Sequence, residues 1–174
     1  MRRYRELRYA SAVLGLAALL ATTACGSTEE TAAADTSGWD TERKDSADTD
    51  PWQPTVLTRV EAEERDGHDT LTFTFEEGAP HWIVTYEDPL YPHGGEDPGP
   101  LDLPGAYDLR VVLVGTTADA DTQLEGTTGT VRGLAHAGHF EGETHFGVGV
   151  EGDERPAFEV VTGDDTLTVR IARA

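Results

Sequence analysis

The sequence predicts an all-β protein, a single β-sandwich of seven to eight short, mainly antiparallel strands. Three observations lead there. From Val56 onward, apolar residues alternate with polar ones at a period of two, the spacing of a half-buried strand. The segments so marked are separated by stretches rich in Gly, Pro, Asp and Thr, which turn the chain. No stretch carries an apolar stripe of useful length at helical period, and many short strands without helices bury their faces best as two packed sheets.

The strands follow in order. In the first, Val56, Val60 and Ala62 fall on one side, and Leu57, Arg59, Glu61 and Glu63 on the other. The Asp66-Gly67 pair within Arg65–Asp69 suits a chain reversal. Leu71, Phe73 and Phe75 then alternate with Thr72 and Thr74, and Trp82, Val84 and Tyr86 share a face opposite His81, Ile83, Thr85 and Glu87. Residues 88–105 hold five prolines and four glycines and read as a long loop. Residues 109–114 are apolar on both sides apart from Arg110, which places this strand centrally in a sheet. Residues 115–130 read as a polar loop. A short strand follows over 131–137, then a better one over 144–150, with Phe146, Val148 and Val150 facing one way. Gly147 and Gly149 sit on the opposite face, where something packs close to the backbone. Strands over 158–161 and 167–171, around the turn Gly163-Asp164-Asp165, complete the chain.

The N-terminus predicts where the protein resides. Residues 1–8 carry four arginines against one glutamate, and an apolar run follows from Ala10 to Ala21. That run is too short to cross a bilayer and has the layout of a secretory signal peptide over residues 1–24. Cys25, the only cysteine, follows Ala24 and precedes Gly26-Ser27. Its placement resembles the lipobox of bacterial lipoproteins, in which the cysteine thiol takes a diacylglycerol; the departure is Thr22, where leucine is usual. Lipidation at Cys25 would anchor the chain to the extracytoplasmic face of the cell membrane, because two buried acyl chains suffice for stable attachment. The other reading is an ordinary cleavage that leaves a free thiol and releases the chain. Residues 25–54 offer little to bury besides Trp39 and Trp52, two candidate docking points, and read as a disordered acidic tether. The sandwich domain occupies 55–174.

Composition narrows the partners. The whole chain has 13 basic and 33 acidic residues, a net charge of −20. Without residues 1–24, 9 basic and 32 acidic residues remain, a net charge near −23. A surface this acidic repels phosphate backbones and anionic lipid faces, so nucleic acid is not an expected partner. With one cysteine there is no disulfide within the chain, and the fold rests on core packing.

The order of segments resembles a known family. Arg65-Asp66-Gly67-His68-Asp69-Thr70-Leu71-Thr72-Phe73 is similar to the opening of the AMIN-like domain of actinobacterial lipoproteins. Tyr86-Glu87-Asp88-Pro89, Pro104 through Val111, Phe140-Glu141-Gly142 leading into Phe146-Gly147-Val148-Gly149, and Arg155-Pro156-Ala157-Phe158 follow in the family's order, over about residues 55–172. Thr70 stands where the family commonly has arginine, Arg65 where it has histidine, and Arg170 where it has aspartate. If that arginine and aspartate pair in relatives, their joint replacement here removes a structural ion pair. By analogy with the AMIN domain of wall amidases and secretins, the resemblance implies a β-sandwich that targets the cell wall.

Candidate site residues are few. His136, His139 and His145 fall within ten residues, but on strands 136 and 139 point to opposite faces unless Ala137-Gly138 turns the chain, and zinc wants three or four converging ligands. No metal or cofactor is therefore expected. Asp119-Ala120-Asp121-Thr122-Gln123 starts like an oxygen-ligand loop but lacks the glycine and terminal glutamate of an EF-hand; solvated acidic loops are the favoured reading at 94–102 and 119–125, with a loose calcium site the alternative. The domain holds no Gly-x-Ser-x-Gly, no His-Glu-x-x-His and no cysteine, and no residue is assigned a catalytic role. Trp82 and Tyr86 share parity with Val84 and belong to the core. Tyr91 and His93 lie outside any strand and are the candidate binding residues, since aromatic rings at a sandwich edge stack on sugar faces. The expectation is a non-catalytic envelope protein that binds a cell-wall polymer. The alternatives are an adaptor for an extracytoplasmic protein and, less favoured, a small hydrolase.

Overall fold

A computed structural model describes residues 35–46, 54–94, 99–118 and 122–173. Residues 1–24, read as a signal peptide, together with Cys25 and Trp52, lie outside the described residues. The described part is all-β, as its alternation requires. Its strands are β1 (Lys44–Asp45), β2 (Thr55–Arg65), β3 (His68–Phe75), β4 (His81–Tyr86), β5 (Tyr107–Val114), β6 (Thr116–Thr117), β7 (Leu124–Glu125), β8 (Val131–Phe140), β9 (Glu143–Val150), β10 (Phe158–Thr162) and β11 (Thr166–Ala172). One sheet runs β1-β4-β5-β9-β8, and the other runs β10-β11-β3-β2-β6, with β7 also on β2. The eight long strands are those the alternation marks. The two-residue pieces β6 and β7 pair parallel to β2 inside the stretch read as a polar loop, too short to leave a pattern.

The core lies between the sheets. Leu71 and Phe73 of β3 and Leu167, Val169 and Ile171 of β11 face Val84, Leu109, Val111, Leu113, Phe146 and Val148 of the other sheet, all fully buried. Phe73 and Phe146 meet with centroids 5.9 Å apart. Each such side chain contributes about 1.5–3 kcal/mol through burial. Trp82 is core, and its indole N–H crosses the sandwich to Thr162 Oγ1 at 2.9 Å. Tyr86 packs against the core and donates to Pro156 O at 2.8 Å.

One parity differs from the sequence reading. Leu57 and Val60 both point inward, while Val56 is 40% exposed. The register of β2 against β3 slips between Leu57 and Arg59, a bulge that reverses the alternation at its start. A second slip, between His136 and His139, carries β8 on past Ala137 to Phe140.

Part of the stretch read as a disordered tether is folded. Within residues 35–46, Lys44 and Asp45 pair with Val84 and Ile83 of β4, while Asp40 bridges Phe158 of β10. Phe158 N donates to Asp40 O at 2.8 Å, and Ser46 N to Trp82 O at 3.0 Å. The segment thus straps an edge of each sheet. Trp39 packs edge-on against His68, at 5.6 Å, within the same chain. Backbone pairing holds the strap rather than apolar burial, so a reading based on composition does not detect it.

The described parts of the long loop, residues 88–94 and 99–105, lie across the outer face of the β5–β9–β8 region. Leu90 is fully buried there, and Leu101 N donates to Leu90 O at 2.8 Å. A Cβ at Gly147 would stand 2.9 Å from Leu103 Cδ1 and 3.1 Å from Leu101 Cδ1, and one at Gly149 would collide with the Pro104 carbonyl. The glycines of β9 are where the loop seats, as the sequence implies.

Candidate functional site

The outer face of β5 and β9 carries a buried ionic cluster. Alternation along β5 turns Arg110 outward, away from the core, and the overlying loop then buries it to 8% exposure. A buried guanidinium must fill its donors, and Arg110 does so on three sides. Nε and Nη2 form a fork on Glu87 at 2.6 and 2.9 Å, Nη2 also donates to Tyr91 O at 2.6 Å, and Nη1 meets His145 Nδ1 at 3.2 Å. The loop carbonyl at Tyr91 is therefore tied to the sheet by charge-assisted hydrogen bonds, the stronger kind.

His145 sits next to it, 4% exposed. Guanidinium nitrogens only donate, so Nδ1 accepts and the ring proton resides on Nε2. Glu143 Oε2 is 3.2 Å from Nε2, yet outside hydrogen-bonding geometry. Burial lowers the imidazole pKa below its ordinary value, His93 and Arg110 add to that effect, and Glu143 opposes it.

Above this cluster lies an exposed aromatic patch. His93 stacks on His145 with centroids 4.4 Å apart and planes 14° from parallel, and it meets Phe140 edge-on at 5.6 Å. Tyr91 is 46% and Phe140 45% exposed. His93 N donates to Ala137 O at 2.5 Å, and its carbonyl crowds Gly138, where φ of +109° and the lack of room both demand glycine. The loop segment 91–94 is thereby docked along the edge of β8.

The structure brings Tyr91 and His93, the sequence candidates, to one end of one face. It adds two residues the sequence reading missed. Arg110 had a signal, a charge inside a strand apolar on both sides; Phe140 had none beyond its place before the Glu141-Gly142 turn.

The three histidines of residues 136–145 do not converge. The slip in β8 puts His136 opposite Phe146 and His139 opposite Thr144, both on the core side, whereas His145 faces outward. His139 Nδ1 is 2.9 Å from Thr144 Oγ1. With Arg110 donating to Nδ1, the proton on Nε2 occupies the lone pair a metal would need. Among the described residues no three His, Cys, Asp or Glu side chains are grouped to hold a metal ion. The acidic loops at 94–102 and 119–125 lie partly outside the described residues.

Fold and face together define a β-sandwich domain with an aromatic patch set on a buried ionic cluster. Residues 55–173 match the AMIN-like domain, and the chain belongs to that family. AMIN-like domains are in general non-catalytic binding domains associated with the envelope. Comparisons with curated proteins and with solved structures give no match. The strap, residues 35–46, lies outside the matched residues.

Proposed function

We propose that the protein is an envelope lipoprotein, exported by residues 1–24 and anchored through Cys25 on the extracytoplasmic face. In this reading its AMIN-like sandwich binds a cell-wall polymer at the patch of Tyr91, His93 and Phe140. The observation that carries the reading is the patch itself. Its three residues are solvent-exposed, yet the Tyr91 carbonyl is tied to Arg110 and the His93 ring is stacked on His145, so the backbone of 91–93 is organised before a ligand arrives. Sugar rings present apolar faces that stack on such side chains, and the partly exposed carboxylates of Glu87 and Glu143 stand near to accept hydroxyl hydrogen bonds. No residue of the patch is assigned a catalytic role.

The test is co-sedimentation of the chain from Gly26 onward with isolated actinobacterial sacculi. That chain keeps the whole compact unit of residues 31–174. Saturable pelleting that survives moderate salt is expected, with Tyr91→Ala and Phe140→Ala each weakening it about tenfold. Absence of pelleting would overturn the reading in favour of a protein partner.

A further inference from the structure

We propose that His145 makes the patch responsive to pH: neutral, it accepts from Arg110 and holds residues 91–93 against the sheet; protonated, it releases them. This rests on the wall-binding reading only for its consequence, not for its mechanism.

The geometry carries the inference. Arg110 Nη1 has His145 Nδ1 as its acceptor, and a guanidinium keeps its protons at any physiological pH. A proton arriving on Nδ1 replaces that acceptor with a second donor, and two largely buried cations then face each other at 3.2 Å. The same Arg110 holds the Tyr91 carbonyl, and the ring of His93 lies flat on His145. A charge on His145 therefore disturbs both attachments of the segment at once.

The charged and titratable groups around His145 come from every element packed on it. Arg110 projects from β5, with Glu87 at the end of β4 neutralising it. Glu143 lies on β9 itself and favours the protonated ring, but it is partly solvated and outside hydrogen-bonding geometry. His93 comes from the loop, and its ring lies stacked on His145. Phe140, on the adjoining strand β8, is apolar. Two cations and a stacked imidazole against two partly exposed carboxylates make the acid state the less favourable one. Histidine is the side chain whose ordinary titration lies in the range an envelope protein meets.

The experiment is amide hydrogen exchange on the chain from Gly26 onward at about pH 7.5 and about pH 5, expressed as protection factors so that intrinsic rates cancel. The reporter is the His93 amide, which bonds to Ala137 O. Its protection should fall about tenfold in acid, while core amides of β3 and β11 keep theirs. In His145→Gln, whose side-chain carbonyl accepts from Arg110 without titrating, the fall should vanish; in His136→Gln it should remain. An unchanged His93 amide in the parent chain, or a fall that persists in His145→Gln, overturns the proposal. Ring-nitrogen NMR of the parent chain needs no variant. It should show His145 with its proton on Nε2 at neutral pH, titrating together with the His93 amide, and separate midpoints would also overturn the proposal. Sacculus binding measured over the same range then follows the same midpoint if the patch is the wall site. A pH-dependent amide without sacculus binding would reject the wall reading and leave the switch standing.

Discussion

Asp69 has no exposed surface and yet keeps its charge. Burial pushes its carboxyl up, but bonds from Thr128, Arg173 and Thr130 together outweigh burial and hold it below the usual carboxylate range. Arg173 Nε is 2.6 Å away and Thr130 N 3.0 Å, so one carboxylate ties the start of β3 to Arg173 just beyond β11 and to the entry of β8. Asp69→Ala strands these donors and should lower the unfolding free energy by about 2–3 kcal/mol in urea titrations. A depressed carboxylate stabilises above its ordinary pKa and loses that contribution as pH falls through its folded value. Asp69→Asn should accordingly flatten part of the loss of stability seen below about pH 4. Gly149 makes a steric demand instead, since any Cβ collides with the carbonyl of Pro104. Gly149→Ala should cost about 1–3 kcal/mol and loosen the loop, which melting of the variant would register. The demand at Gly149 was legible in the sequence, because two glycines on one face of a strand imply a close neighbour. Arg110 announced that it needed partners but not which ones, since Glu87, Tyr91 and His145 meet it only through the fold.

Antiparallel register turns two of the chain's departures from the family pattern into a spatial statement. Arg170 of β11 stands directly opposite Thr70 of β3, so the positions where the family pattern carries arginine and aspartate are cross-strand neighbours. Here Arg170 turns to Glu159 of β10 instead, at 2.8 Å. Thr70→Arg alone sets two cations side by side, and Arg170→Asp alone faces Glu159. The double variant should recover about 0.5–1 kcal/mol relative to the sum of the singles, and a double-mutant cycle with no coupling would show that the pair is not an interacting unit. Strand positions were legible wherever alternation ran unbroken, as in β3, β4, β5 and β9. It failed at the start of β2 and beyond Ala137, because a bulge inserts one residue without any change of composition. The strap was invisible for a different reason: its residues are polar, and its order comes from edges contributed by β4 and β10.

At the scale of the molecule, the imidazoles of His136 and His145 are both held below their ordinary pKa. Burial comes first in each, with His139 adding to it at His136, and His93 and Arg110 at His145. A base with a depressed pKa takes up its proton more readily in the unfolded chain. Stability should therefore be complete above about pH 6.5 and decline as pH falls toward the folded values. Thermal melts between about pH 7.5 and 5 should show that decline, and the His136→Gln, His145→Gln pair should reduce it. The strap has a mechanical consequence as well. Any load applied to the chain's N-terminal side reaches residues 35–46 before it reaches β2. The Lys44–Asp45 pairing and the Asp40 bridge then rupture first, one short contact after another, while the sandwich stays intact. Peeled, these twelve residues span at most about 40 Å at roughly 3.3–3.6 Å per residue, and the chain gains that length less the distance they already cover in the fold. If the chain is anchored on its N-terminal side, as proposed, the domain would gain reach before it risked unfolding.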